Sequence, residues 1–320
     1  MDLLKLLDGL DSYISVCSSG LRTLKEVCIG ISEACSVNLQ EVCSRFREGQ
    51  FSSNMRRIER FFQQKKLNDL EVARYIIENL FVSEEQLTLA IDRTEWGFGD
   101  TWHNLLCISV LYNSTAIPLV IFPLERKGSS DHQQRLDLLD KLLSIIPFYR
   151  IKAILGDREF IGDAWFKGLE ERCIPFVMRV RGNITIAKDD YIGRIDGLAT
   201  SDAATSHGTV HIGTRKLALS TLSSGDGERV VVISSDVREP LTLYKQRWGI
   251  ETGFKCLKTG GFNLEKTHLK KSDRLKMLVQ ICSISMTLSL IAVRGYEKNT
   301  VKKNTDFCKI LSSPKLNASS

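Results

Sequence analysis

The chain is 320 residues long, 43% apolar and 26% charged, a globular balance that excludes wholesale disorder. Its net charge of +6 is unevenly spread: residues 238–276 carry 10 basic and 4 acidic side chains and residues 277–320 carry 6 and 2, while the chain before 238 has no basic surplus. A second basic concentration, Arg45–Lys66, holds seven basic and two acidic residues, so two places suit a polyanion such as nucleic acid, or else two solvated helix faces. Met277–Val293 is apolar but interrupted by Ser, Thr, Cys and Gln, which suits a buried helix better than a membrane span. Asp2 stands where an export signal has basic residues. Nine Cys without a Cys-x-x-Cys pair read as reduced thiols, so a cytoplasmic protein without membrane attachment is expected.

Residues 1–82 read as a helical region, with apolar side chains recurring at three and four (Leu3, Leu4, Leu7, Leu10; Ile58, Phe61, Phe62). Asn38 and Ser53 suit helix starts, and Gly49-Gln50 separates two short helices. The second carries Arg56, Arg57 and Arg60, as a helix-turn-helix DNA contact would; a plain bundle with arginines on its wet side fits equally.

From 83 to 181 the pattern alternates. Strands are expected at Leu87–Ile91, Leu105–Tyr112, Ala116–Phe122, Ile151–Leu155 and Ile174–Val180, with helices opening at Ser130-Asp131 and over Gly162–Arg172. That is a mixed sheet with helices on its faces, an α/β layout. Residues 182–237 read as an antiparallel β insertion with strands at Ile184–Ala187, Thr209–Ile212, Leu217–Thr221 and Val230–Ser234. Residues 238–295 return to helices, one from about Leu241 to Gly260-Gly261 and one over Arg274–Val293. Residues 296–320 form a polar tail.

Asp92 and Asp157 each directly follow a predicted strand, where an acid is aimed at the sheet rim. Glu251 lies within the helix after Pro240. Carboxylates alone suit Mg²⁺ or Mn²⁺, and two such ions serve phosphodiester chemistry. A single Asp after a strand is more often a cap than a ligand; the helix shifts the balance. At about 100° per residue, Tyr244, Arg247, Trp248, Glu251, Lys255 and Lys258 fall within an arc of about 100°, beside a stripe of Leu243, Ile250, Phe254 and Leu257. One acid among cations and aromatics suits phosphates and bases. Gly249 and Gly253 cost such a helix about 1 kcal/mol each relative to Ala, which close backbone approach by another element or by DNA would justify.

These residues resemble the DDE transposases of bacterial insertion sequences, in the branch called family four. Tyr244, Arg247, Glu251 and Lys258 fit its Tyr-x2-Arg-x3-Glu-x6-Lys signature, while Asp92-Arg-Thr-Glu-Trp96 and Asp157-Arg-Glu-Phe-Ile-Gly162 look like its two Asp regions. The resemblance covers roughly residues 50–295. It implies an RNase H-like core with a β insertion between the second Asp and the Glu, and Asp92, Asp157 and Glu251 binding two Mg²⁺ ions, with Mn²⁺ as a substitute. Tyr244, Arg247 and Lys258 would hold phosphates of the terminal strand, Lys255 would add charge, and Trp248 would stack on an unpaired base. Residues 182–237 contain no Trp, so no Trp of the insertion can serve there. The partners implied are the element's terminal inverted repeats and target DNA, bridged by a homodimer associated with the nucleoid. An RNase H-like nuclease or resolvase without strand transfer, or a DNA-binding copy that no longer cuts, are the other readings of the same residues.

Overall fold

A computed structural model of the chain describes residues 7–64, 66–98, 101–125, 127–198, 204–223, 229–257, 262–264, 269 and 271–297. Lys258, Gly260-Gly261 and the tail beyond 297 lie outside them. The chain divides into two units, one comprising Met1–Glu85, Arg93–Gly128 and Gly249–Ser320, the other Gln86–Asp92 and Ser129–Trp248.

In the first unit the N-terminal region is helical as expected, with α1 (Ser18–Ala34), α2 (Leu39–Cys43), α3 (Phe51–Gln64) and α4 (Asp69–Leu80). Asn38 caps α2 and Asn68 caps α4, each side chain accepting from a backbone N–H two residues on. Ser53 is not a cap, because α3 already begins at Phe51. Gly49, at φ +91°, makes the turn before it. Strands β2 (Thr101–Tyr112) and β3 (Thr115–Pro123) form an antiparallel hairpin whose turn places Asn113 at φ +53°. The last helix, α9 (Ser272–Glu297), packs against α1, α3, α4 and β3.

By length and composition α9 could cross a membrane, yet 83% of its apolar window is buried inside the protein. Its hydroxyls explain how a helix rich in Ser and Thr tolerates this. Ser283, Ser285, Thr287 and Ser289 each donate to the carbonyl four residues back, so none is left dry and unsatisfied. Near its start, Lys276 meets the fully buried Asp69 carboxylate at 2.7 Å, and Gln280 Nε2 donates to the same group at 2.5 Å.

The helix expected from about Leu241 is broken in two, α7 (Pro240–Lys245) and α8 (Trp248–Lys255). At the break Gln246 and Arg247 donate to Leu243 and Tyr244, three residues back, a tighter turn than the α-helix allows. One continuous wheel therefore does not describe this segment. The glycines of α8 have the expected neighbour: a Cβ on Gly253 would collide with the Ala116 carbonyl oxygen of β3, and one on Gly249 would come within 3.3 Å of the Thr115 carbonyl carbon.

The second unit holds the first part of β1 (Leu87–Phe98) with β4 (Ile151–Gly156), β5 (Phe176–Arg179), β6 (Thr185–Lys188), β7 (Tyr191–Arg194), β8 (Thr205–Ile212), β9 (Arg215–Ser223) and β10 (Arg229–Ser234). Backbone hydrogen bonds order the strands β3-β2-β1-β4-β5-β10-β9-β8-β6-β7. The β1–β4 and β4–β5 pairs are parallel, and where they pair their sequences are largely apolar, with Thr88 and the exposed Lys152 the exceptions before Gly156. The stretch β3-β2-β1-β4-β5 is mixed, antiparallel between β2 and β3 and parallel over β1, β4 and β5, the α/β layout with flanking helices that was expected. The β insertion is antiparallel, as read. It also contains β7, which the sequence reading did not find, and its last strand, β10, pairs directly with β5 rather than standing apart.

Helices α5 (His132–Leu143) and α6 (Asp163–Glu171) pack together in this unit. Asp131 and Gln134 form a reciprocal capping box at the start of α5. Arg215 of β9 pairs with Asp163 at 2.5 Å and with Glu170, tying the inserted strands to α6.

Gly253→Ala would normally stabilise an exposed helix by up to about 1 kcal/mol. Here it is expected to destabilise by about 1–3 kcal/mol through overpacking against β3, with Gly249→Ala milder. Chemical denaturation measures both; a Gly253→Ala protein more stable than wild type would exclude the close approach.

Candidate functional site

With Ala90 opposite Leu155, the parallel pairing of β1 and β4 leads to Asp92 and Asp157 two residues further along each chain, side by side. Asp157 follows the end of β4 as expected, whereas Asp92 does not end its strand, because β1 runs on through it to Phe98. Both carboxylates are half-buried. Gly156 lets β4 reach this point, since a Cβ there would lie 2.6 Å from Met178 Sδ, 3.0 Å from Phe160 Cβ and 3.3 Å from Ile91 Cγ2. Asp157 then shapes its own turn. Its Oδ1 accepts the Glu159 N–H at 2.9 Å and its carbonyl accepts the Phe160 N–H at 3.0 Å.

A cation already stands at Asp92. Arg247 Nη1 lies 3.4 Å from Asp92 Oδ2, the two side chains only 10% and 17% exposed. The same guanidinium sits 5.6 Å from the Tyr244 ring centroid. Burial raises the ionisation of the Tyr244 phenol above its ordinary range. The charges of Arg247 and Arg179 draw it down and that of Asp157 pushes it up. Arg179, the last residue of β5 beside β4, was not among the expected site residues; the sequence places it inside the predicted strand Ile174–Val180, where nothing marks it out.

The expected phosphate-and-base face is divided. Tyr244 and Arg247 are buried, whereas Trp248 is 71% exposed and Glu251 and Lys255 are exposed on α8. Glu251 and Lys255 belong to the first unit, with Asp92, Asp157, Tyr244, Arg247 and Trp248 in the second. On α3, Arg56 and Arg60 are exposed, while Arg57 lies half-buried with its guanidinium 5.1 Å over the Phe46 ring. A five-residue α2 followed by a fourteen-residue α3 is not the pair of short helices expected.

Among the described residues, no group of three or more His, Cys, Asp or Glu side chains is gathered as a metal site. The two aspartates nevertheless fit a hard dication. Their donors are oxygen only, they lie level on adjacent parallel strands, and a guanidinium already balances one of them.

Replacing Arg247 by Met removes one of the charges that favour the Tyr244 phenolate. The Tyr244 transition, isolated as the difference from Tyr244→Phe in an ultraviolet titration, is expected to move to still higher pH. An unmoved midpoint would separate the two groups.

The chain's sequence matches a family model described as the transposase DDE domain over residues 83–288. No curated protein matches it. Among solved structures, it is similar to the piggyBac transposase in a synaptic complex with hairpin DNA, at 13% identity and a TM-score of 0.49 over 93% of this chain and 70% of that one. It is also similar to endonuclease V of Bacillus subtilis, at 11% identity and a TM-score of 0.28 over 75% and 97%. Likenesses at these scores add nothing to the family match. That match spans well over half of the sequence, including Asp92, Asp157 and Glu251: the chain belongs to the family of DDE-domain transposases.

Proposed function

We propose that this chain is a transposase of the insertion-sequence family-four type, which nicks the ends of its element and joins the freed 3′ ends to target DNA. The observation that carries the reading is the pair Asp92 and Asp157, brought level by adjacent parallel strands, with Arg247 beside Asp92. The Tyr-x2-Arg-x3-Glu-x6-Lys spacing, which supplies Glu251 and Lys258, supports it from the sequence.

In this reading Asp92, Asp157 and Glu251 hold Mg²⁺, for which Mn²⁺ substitutes. Bound there, the ions supply the charge that activates an attacking water or 3′ hydroxyl and steadies the leaving oxygen. The protein's own groups do the rest. Arg247 offers a planar fork suited to a phosphate and, when it turns to one, releases Asp92. Tyr244, kept protonated by burial, remains a hydrogen-bond donor across the physiological range. Trp248, largely exposed at the start of α8, offers its indole to an unpaired base, and Lys255 and Lys258 add charge for the strand. Arg56 and Arg60 on α3 serve the terminal inverted repeats, with Arg57 bracing the helix against Phe46. Two copies bridge the paired ends.

The deciding experiment incubates the protein with Mg²⁺, pre-cleaved duplexes from the DNA flanking its reading frame, and a plasmid. Joined products are expected; hydrolysis without joining would reduce the activity to that of a nuclease. Glu251→Gln should keep end binding and lose cleavage, and cleavage at the wild-type rate would remove Glu251 from the chemistry. Lys258→Ala should weaken binding and reduce the slope of log affinity against log salt by about one, since it deletes a phosphate contact. An unchanged slope would contradict that role.

A further inference from the structure

Arg135 is charged, yet it is only 5% exposed on the inner side of α5. Leaving such a group without partners would cost several kcal/mol, so what it touches is informative. Its Nε donates to Ser130 Oγ at 2.9 Å and its Nη2 to the Ser130 carbonyl at 2.5 Å. Its guanidinium carbon lies 4.9 Å from the centroid of the Phe160 ring, which is itself fully buried. Burial disfavours its charge, and Glu159, Asp131 and Asp157 counter that effect, in that order.

These contacts converge on the Asp157 turn. The Ser130 N–H donates to Glu159 Oε1 at 3.3 Å, the Glu159 N–H donates to Asp157 Oδ1, and the Phe160 N–H donates to the Asp157 carbonyl. Arg135 thus grips both halves of the turn after β4. It reaches one through Ser130 and Glu159, and the other through the face of Phe160. A fork that served only to cap its own helix would need no ring across the gap, and α5 already has its capping box in Asp131 and Gln134.

We infer that Arg135 is a positioning residue for Asp157: its guanidinium plane, held by Ser130 and Phe160, sets the direction of the Asp157 carboxylate and occupies Glu159 so that Glu159 does not compete for the same cation. The inference rests on the reading of Asp157 as a metal-holding acid. It requires the planar fork rather than charge alone, so lysine cannot replace it.

The test is Mn²⁺ binding by the full-length protein, counted as loss of the free-ion signal in electron paramagnetic resonance, alongside DNA-end affinity and nicking against Mn²⁺ concentration. Arg135→Lys is expected to weaken Mn²⁺ binding about tenfold, as loss of a ligand-orienting neighbour does, and to shift the nicking curve equally with DNA affinity unchanged. A folded Arg135→Lys protein with wild-type Mn²⁺ affinity overturns the proposal. Should that variant fail to fold, Ser130→Ala decides in its place: Mn²⁺ binding about fivefold weaker supports the proposal, matching one lost hydrogen bond, and unchanged binding overturns it. Asp157→Asn separates the levels. If that protein binds Mn²⁺ as wild type does, the assignment of Asp157 itself fails and the role of Arg135 falls with it, whatever the Arg135 variant shows.

Discussion

The parallel pairing of β1 with β4 is the constraint on which the candidate site depends. An antiparallel pair would send the residues after Ile91 and after Gly156 to opposite ends of the sheet. A parallel pair sends both the same way, and the register that sets Ala90 against Leu155 brings their two aspartates level. Each strand must be apolar on both faces to lie at that depth, which explains why Leu87–Ile91 and Ile151–Gly156 contain so little that is polar before the acid arrives. Gly156 extends the constraint to a single atom. The space its missing Cβ leaves is taken by side chains of β1, β5 and the following turn, so the chain can bend there and Asp157 can emerge.

Charge at this site is balanced rather than merely acidic. Asp92 faces Arg247, Arg135 lies against the turn that carries Asp157 and Glu159, and Arg247 sits beside the Tyr244 ring. Two of these arginines, Arg247 and Arg135, are themselves buried. The two arginines differ in what they can do next. Arg247 sits at the break between α7 and α8, where two tight backbone bonds replace the regular helix and a modest change of torsion can redirect the side chain. Arg135 is pinned at both ends of its fork and under a ring. One is suited to exchange partners and the other to hold still.

Much of the fold was legible because local chemistry dictated it. Asn38 and the Asp131–Gln134 box cap helices where their side chains stand, Asn113 turns the β2–β3 hairpin, and the end of β4 before Asp157 follows from an apolar run stopped by an acid, whereas β1 passes through Asp92 and runs on to Phe98. The glycines of α8 were legible as a cost needing a return, and β3 supplies it. What the sequence hid depends on contacts between distant segments. A helical wheel assumes one unbroken axis, and nothing in Lys245-Gln-Arg-Trp248 announces the tight turn that ends α7 and splits the projected face into buried Tyr244 and Arg247 and exposed Trp248. Strand β7 is four residues with an alternating exposure too short to count, closed onto β6 by Asp189 at φ +49°. Arg135 and Arg179 look in sequence like ordinary surface cations; only the turn that surrounds one and the strand beside the other reveal them.

The first unit shows how the same economy of charge serves stability. Helix α9 has the length and apolarity of a spanning segment, but its buried hydroxyls bond back to its own backbone and its one deep ion pair is matched by a third group. Asp69 would be costly alone in the interior. With Lys276 and Gln280 both bound to it, its oxygens are met from the direction of α9, and α4 cannot slide along that helix without breaking two polar contacts at once. An apolar seam would tolerate such a slip by a turn, because one leucine packs much like another. The polar lock does not, so it fixes the register of α9 against α4, and α9 packs in turn on the back of β3, the strand whose backbone the glycines of α8 approach. Glu251, on that helix, therefore owes its height along β3 to packing that involves no catalytic group.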